Sequence, residues 1–140
     1  MFIVHRLPED ATLFNIKDIM ATDIAFVKKD TPVYDVVAML VEKKITGLPV
    51  VNDDMSLAGV ITEKDLLRLL HDDPQDQEPG CAEDYMSTQV VSFDLHDDLI
   101  AVCECLVNNH FRRVFIVSEG KLVGIISRRD IIKYILDPIG

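Results

Sequence analysis

Residues 59–65 read GVITEKD and residues 124–130 read GIISRRD. Each string is a glycine, two β-branched apolar residues, a hydroxyl residue, two charged residues and an aspartate. The local reading is a strand running into a helix, with the hydroxyl as N-cap and the aspartate at N3 of a shortened capping box. A lone helix start does not need to be written twice, so the surroundings decide what the repetition means.

The surroundings repeat as well. Sliding the chain against itself by 66 residues matches Asp18 with Asp84, Met20 with Met86, Thr22 with Thr88, Val36 with Val102, Leu40 with Leu106, and Val51 with Val117. The offset then becomes 65, matching Leu57 with Leu122, Gly59 with Gly124, Ile61 with Ile126 and Asp65 with Asp130. The single-residue change falls where NDDMS faces SEGK, compositions typical of turns that absorb length differences. An internal repeat of this length fixes the architecture.

Each copy reads as β-α-β-β-α. In the first, a short strand over 24–27 precedes a helix with Val33, Val36, Val37 and Leu40 on one face. Thr31 and Pro32 suit its N-cap and first turn. Strands follow over 48–51 and 57–61, then a helix over 63–70. In the second, a strand over 90–93 leads to a helix with Leu99, Val102, Cys103 and Leu106, strands over 114–117 and 122–126, and a helix through Ile132 and Ile135. Cys103 stands where the first copy has Val37 and reads as a packing residue.

Composition sets the outer limits. The 140 residues are 49% hydrophobic, enough for one ordinary core or two half-size units. No apolar run reaches 18 residues, and the apolar stretch at the start is too short for a signal peptide, so the expected setting is cytoplasmic with no membrane contact. Cys103 and Cys105 point to different faces of a helix and Cys81 lies in a polar stretch, so all three read as reduced thiols. A formal charge of −10 disfavours a general nucleic-acid binder. Residues 71–84 contain no basic and six acidic residues, with two prolines and a glycine. The expected division is therefore an N-terminal segment and first repeat over 1–70, an acidic linker over 71–81, and a second repeat over 82–140.

The opening strings admit a functional reading beside the capping one. The helix start offers free backbone N–H groups to an anion. The glycine three residues earlier allows close approach to the backbone. An aspartate there can bind the two vicinal hydroxyls of a ribose. The two readings are compatible.

The ordered set, D-x-M-x-T, then GLPVV or RRVFIV, then G-h-h-[ST]-x-x-D (h apolar), occurring twice over residues 14–137, resembles a pair of CBS (cystathionine-β-synthase-like) domains, the Bateman module. The resemblance implies an α/β fold of two repeats packed about a pseudo-two-fold axis. It implies clefts that bind AMP, ADP, ATP or a related adenosyl compound as a regulatory ligand, with no cofactor required. It also implies a homodimer, with an enzyme or transporter as regulated partner.

Carried over by position, Asp65 and Asp130 would hold ribose, and Thr62 and Ser127 would face phosphate or sugar. Thr22 and Ile24, with Thr88 and Val90, would line the base pocket. Gly47, Leu48 and Pro49 in one copy, and Arg112, Arg113 and Phe115 in the other, would form the opposite wall. The copies differ here, because basic residues precede the second strand in the second copy alone and Phe115 replaces Pro49.

Arg128 and Arg129 oppose the helix dipole and read equally as phosphate neighbours or as a solvated face. His5, His71, His96 and His110 show no ligand spacing, so no metal site is expected. No catalytic nucleophile and base occur in a recognisable motif. Three functions remain: a nucleotide sensor, a structural dimerisation module with empty clefts, and, least favoured, an enzyme.

Overall fold

The computed structural model of the chain describes residues 15–71 and 79–136. Along the chain the elements are α1 (Ile16–Ile19), β1 (Val27–Lys28), α2 (Val33–Lys43), β2 (Gly47–Val51), β3 (Leu57–Thr62), α3 (Glu63–Leu66), α4 (Arg68–His71), α5 (Ala82–Tyr85), β4 (Ser92–Asp94), α6 (Leu99–Asn108), β5 (Arg113–Ser118), β6 (Lys121–Ser127) and α7 (Arg128–Leu136). The chain is of mixed helix and strand, and the strands form two three-stranded sheets, β1-β2-β3 and β4-β5-β6. In both, the first pair is parallel and the second antiparallel, with a register shift near the end of the central strand. This is the repeated β-α-β-β-α order read from the sequence.

The compact units are cut differently from the sequence copies. Among the described residues, one unit lies within Ala25–Val90; the other combines residues 15–24 with residues 91–136. The first unit therefore takes in α5, which opens the second copy, and the second unit takes in α1, which opens the first.

In the first unit the apolar positions of α2 and the central strand β2 meet. Val36, Leu40, Leu48, Val50 and Ile61 form the core, and Ala82 of α5 completes it. All of β2 beyond Gly47 is buried, as expected for a strand with neighbours on both sides. Backbone bonds seat the α5 segment: Ala82 N–H donates to Thr31 O at 2.9 Å, and Val33 N–H to Gly80 O at 3.1 Å. Ser87 then pairs with Val60 of β3 through two bonds of 2.8 and 2.9 Å.

The second unit repeats this. Leu99, Val102, Leu106, Val114, Ile116 and Ile126 form its core, joined by Ile16 and Ile19 of α1. Ala21 pairs with Ile125 of β6 through bonds of 2.8 and 3.0 Å. The β5–β6 hairpin closes on Glu119 and Gly120, both at positive φ (52° and 78°), the two-residue turn that suits twisted strands.

The glycine of each opening string now has a specific neighbour. A Cβ on Gly59 would lie 2.6 Å from Ser87 O and 2.8 Å from Met86 Sδ; one on Gly124 would run into the Met20 sulfur and lie 2.9 Å from its Cγ. The close approach expected of a ligand is thus made by the methionine of D-x-M-x-T.

Two local readings are corrected. Pro32, not Thr31, is the N-cap of α2, because the Thr31 hydroxyl accepts Lys28 N–H at 3.0 Å and closes the turn from β1. The helix expected over 63–70 is divided at Leu67 into α3 and α4. Most of the linker lies outside the described residues. No helix among the described residues is long and apolar enough to cross a membrane.

The obstacles at the two glycines differ in kind. At Gly124 the neighbour is the end of a flexible side chain, whereas at Gly59 it includes a backbone carbonyl held in a bridge. Gly59→Ala is expected to destabilise by about 1–3 kcal/mol and Gly124→Ala by clearly less. Urea unfolding of both variants checks the order, and equal losses would contradict it.

Candidate functional site

The two helix starts are built alike. In the first unit, Thr62 N–H and hydroxyl both donate to Asp65 Oδ2, at 2.9 and 3.0 Å, and Asp65 N–H points back to Thr62 Oγ1 at 3.4 Å. In the second, Ser127 N–H donates to Asp130 Oδ2 at 2.9 Å and Asp130 N–H to Ser127 Oγ at 3.1 Å. Both are reciprocal capping boxes. The first helical amide is also satisfied: Glu63 N–H donates to Thr46 O and Arg128 N–H to Arg112 O, each at 3.0 Å.

That accounting changes the expectation of an open anion site. Of the amides at the start of α7, those of Ser127, Arg128 and Asp130 have protein acceptors, which leaves Arg129 N–H. The helix end alone therefore offers little to an anion. In both boxes Oδ2 carries the capping bonds, and Oδ1 has no protein donor among the described residues. One carboxylate oxygen remains for a hydroxyl.

Positive charge comes instead from side chains. Arg112, Arg113, Ser127, Arg128, Arg129 and Ile132 line a cavity of about 450 Å³ in the second unit. Arg128 is steadied by a bond from its guanidinium to Asn109 O at 2.8 Å. The corresponding residues of the first unit are Thr46, Gly47, Glu63 and Lys64, which sum to no net charge. Arg128 and Arg129 thus line the same cavity as Arg112 and Arg113. Ile132, which the sequence reading placed on the last helix without a further role, also lines it.

The remaining candidates are distributed by unit rather than by copy. Thr22 and Ile24 belong with Ser127 and Asp130, and Thr22 directly follows the Ala21–Ile125 bridge. Thr88 and Val90 belong with Thr62 and Asp65, and Thr88 directly follows the Ser87–Val60 bridge. Gly47 is half-buried; Leu48 and Pro49 are buried, Leu48 as part of the core. Phe115 is 6% exposed and lies in β5 opposite Ser92 and Ile125.

The cysteines form no disulfide with one another. Burial, with Asp98 and Glu104 nearby, pushes the Cys103 thiol up, which keeps it protonated and a poor nucleophile at neutral pH.

Comparison with known proteins fits this geometry. The CBS domain model matches residues 16–72 and 82–137. An uncharacterized protein of Methanocaldococcus jannaschii, MJ1225, is 34% identical over 118 residues, 84% of this chain. The chain spans 41% of that relative's length. The chloroplastic CBS domain-containing protein CBSX2 of Arabidopsis thaliana is 31% identical over 134 aligned positions, 76% of this chain and 56% of the relative. A crystal structure of CBSX2 in complex with AMP superposes with a TM-score of 0.78 at 31% identity, covering 89% of this chain and 98% of that one. With both copies matched and the β-α-β-β-α units in place, the chain belongs to the CBS domain family, as two CBS domains in tandem.

Proposed function

We propose that the chain is a cytoplasmic regulatory module that binds an adenine nucleotide, or a related adenosyl compound, beside the start of α7 and reports its presence to an enzyme or transporter. The observation that carries this reading is the arginine cavity next to the unused Oδ1 of Asp130. Arg112, Arg113, Arg128 and Arg129 would face phosphates, since guanidinium groups make the strongest hydrogen bonds to them. Asp130 would hold the ribose and Ser127 would face its phosphate side. Thr22 and Ile24, with Phe115 behind, would bound the base. The AMP held by CBSX2 supports the same ligand class here.

In the first unit Asp65 with Thr62, Thr88 and Val90, walled by Gly47, Leu48 and Pro49, would form a site for sugar and base without phosphate charge. That neutral start favours a second reading for this half, in which its task is assembly. Both readings take the module as a homodimer. Val41, Leu67 and Leu70 in one unit and Val107, Ile132 and Leu136 in the other are exposed large apolar residues on or between helices. Signalling then follows from population shift: a nucleotide acts on a partner by as much as its affinity differs between two conformations.

Three outcomes are expected. ATP at a hundredfold excess over its dissociation constant stabilises the native state by about 2.7 kcal/mol, visible as a raised melting temperature; no shift with any adenosyl compound would leave the assembly reading. In calorimetry, Arg112→Ala weakens ATP by about tenfold or more and adenosine little, while Asp130→Ala weakens both alike, its loss of capping, about 1 kcal/mol, being measured separately. Equal losses for ATP and adenosine in Arg112→Ala would remove the phosphate assignment. Light scattering at micromolar concentration gives the mass of two chains, and a single-chain mass would contradict the homodimer.

A further inference from the structure

The first unit carries a clasp whose residue types the second copy does not repeat. Arg68, the first residue of α4, turns its guanidinium toward the end of α5, where Nη2 donates to Tyr85 O at 2.8 Å and, more weakly, to Asp84 O at 3.5 Å. Nε donates to Asp65 O at 3.2 Å, and Cζ lies 5.1 Å from the centre of the Tyr85 ring. The Tyr85 hydroxyl reaches on to Pro79 O at 3.1 Å. One guanidinium thus ties the helix that begins with the Asp65 capping box to the last carbonyls of α5, groups that a helix end leaves without partners of its own.

The repeat offsets put Lys133 at the position of Arg68 and Ile19 at that of Tyr85. Lysine has no planar fork and isoleucine no ring. The backbone differs at the same place: α7 runs unbroken over Arg128–Leu136, whereas the first-unit helix is divided at Leu67, directly before Arg68. Yet the second unit forms the same sheet, the same bridge and the same glycine contact, so the fold does not require the clasp. Arg68 is also exposed, where such contacts add little to stability. Its place suggests another task. On one side of the clasp is Asp65, with Oδ1 left for a ribose hydroxyl. On the other, Tyr85 leads through Met86 on Gly59 and the Ser87 bridge to Thr88 and Val90. A sugar and base in the first unit would span these same two elements, and fixing their spacing beforehand removes part of the ordering cost of binding. We infer that Arg68 is a positioning residue for the sugar-and-base site of the first unit, acting through the spacing of Asp65 and the 88–90 segment and not by touching the ligand.

This role rests on the reading of the first unit as an adenosyl site, and one titration separates the two. Adenosine is added to the full chain, and binding is followed at the methyl resonances of Thr62 and Thr88 for the first unit and of Thr22 and Ile24 for the second. Arg68→Ala weakens binding by about tenfold at the first pair and leaves the second pair unchanged; Arg68→Lys, which keeps the charge without the fork, does the same. Tyr85→Phe, which keeps the ring and the carbonyl, binds as the parent does. Parent affinity at Thr62 and Thr88 in either Arg68 variant overturns the inference and leaves the site reading standing, as does equal weakening at both pairs, the mark of a general loss of structure. A parent chain whose Thr62 and Thr88 do not respond to adenosine overturns both.

Discussion

Met20 lies over Gly124 and Met86 over Gly59, and neither glycine has room for a β-carbon. Much else in each unit follows from that contact. It brings the opening segment of each copy onto the last strand of the other copy's sheet, where a backbone bridge, Ala21 to Ile125 or Ser87 to Val60, holds it. The bridge in turn sets α1 or α5 against the core, adding Ile16 and Ile19 to one and Ala82 to the other. A unit of some 60 residues is marginal by itself, so the added segment matters to stability and not to shape alone. The letters D-x-M-x-T and G-h-h-[ST]-x-x-D recur together because one is seated on the other.

The same glycine leads directly into the helix start, where the capping bonds leave room for the proposed ligand role. Capping uses one oxygen of the aspartate and leaves the other. The strand before the helix takes up the first amide, through Thr46 O or Arg112 O. Little of the helix dipole remains exposed for an anion, so any affinity for phosphate must be carried by side chains. Arginines in a first turn oppose the dipole by roughly 0.3–1 kcal/mol each. Four of them at one cavity also repel one another. An anion among them would offset both terms, which is why the capping reading and the binding reading of GIISRRD support each other.

Both sheets and the long helices were legible in the sequence because each rests on a periodic apolar pattern repeated at a fixed offset. The turn between the two hairpin strands was legible from composition, and Gly120 at positive φ bears it out. What escaped was short or tertiary in origin. α1 and α5 span four residues each, too few for a helical period to register, and they owe their place to bridges with strands distant in sequence. Thr31 looked like a cap because nothing local shows that its hydroxyl is taken by Lys28 N–H. The exchange of opening segments was equally hidden, since a repeat alignment pairs each copy with its own start.

The pattern of likeness and difference between the copies carries information of its own. Positions that pack are preserved: the glycines, the methionines over them, and the core positions of α2 and α6. Four solvent-facing or cavity positions around the helix start diverge, from Thr46, Gly47, Glu63 and Lys64 to Arg112, Arg113, Arg128 and Arg129. Packing tolerates either set, so the fold places no demand on their charge. Arg128 lines both the basic cavity and an apolar groove with Val107 and Ile132. Electrostatic interaction acts strongly over such short distances and is weakly screened where water is excluded. An anion held among the arginines would therefore change the charge presented beside Val107 and Ile132, and Arg128 would put any bound ligand and that helix face under the same field.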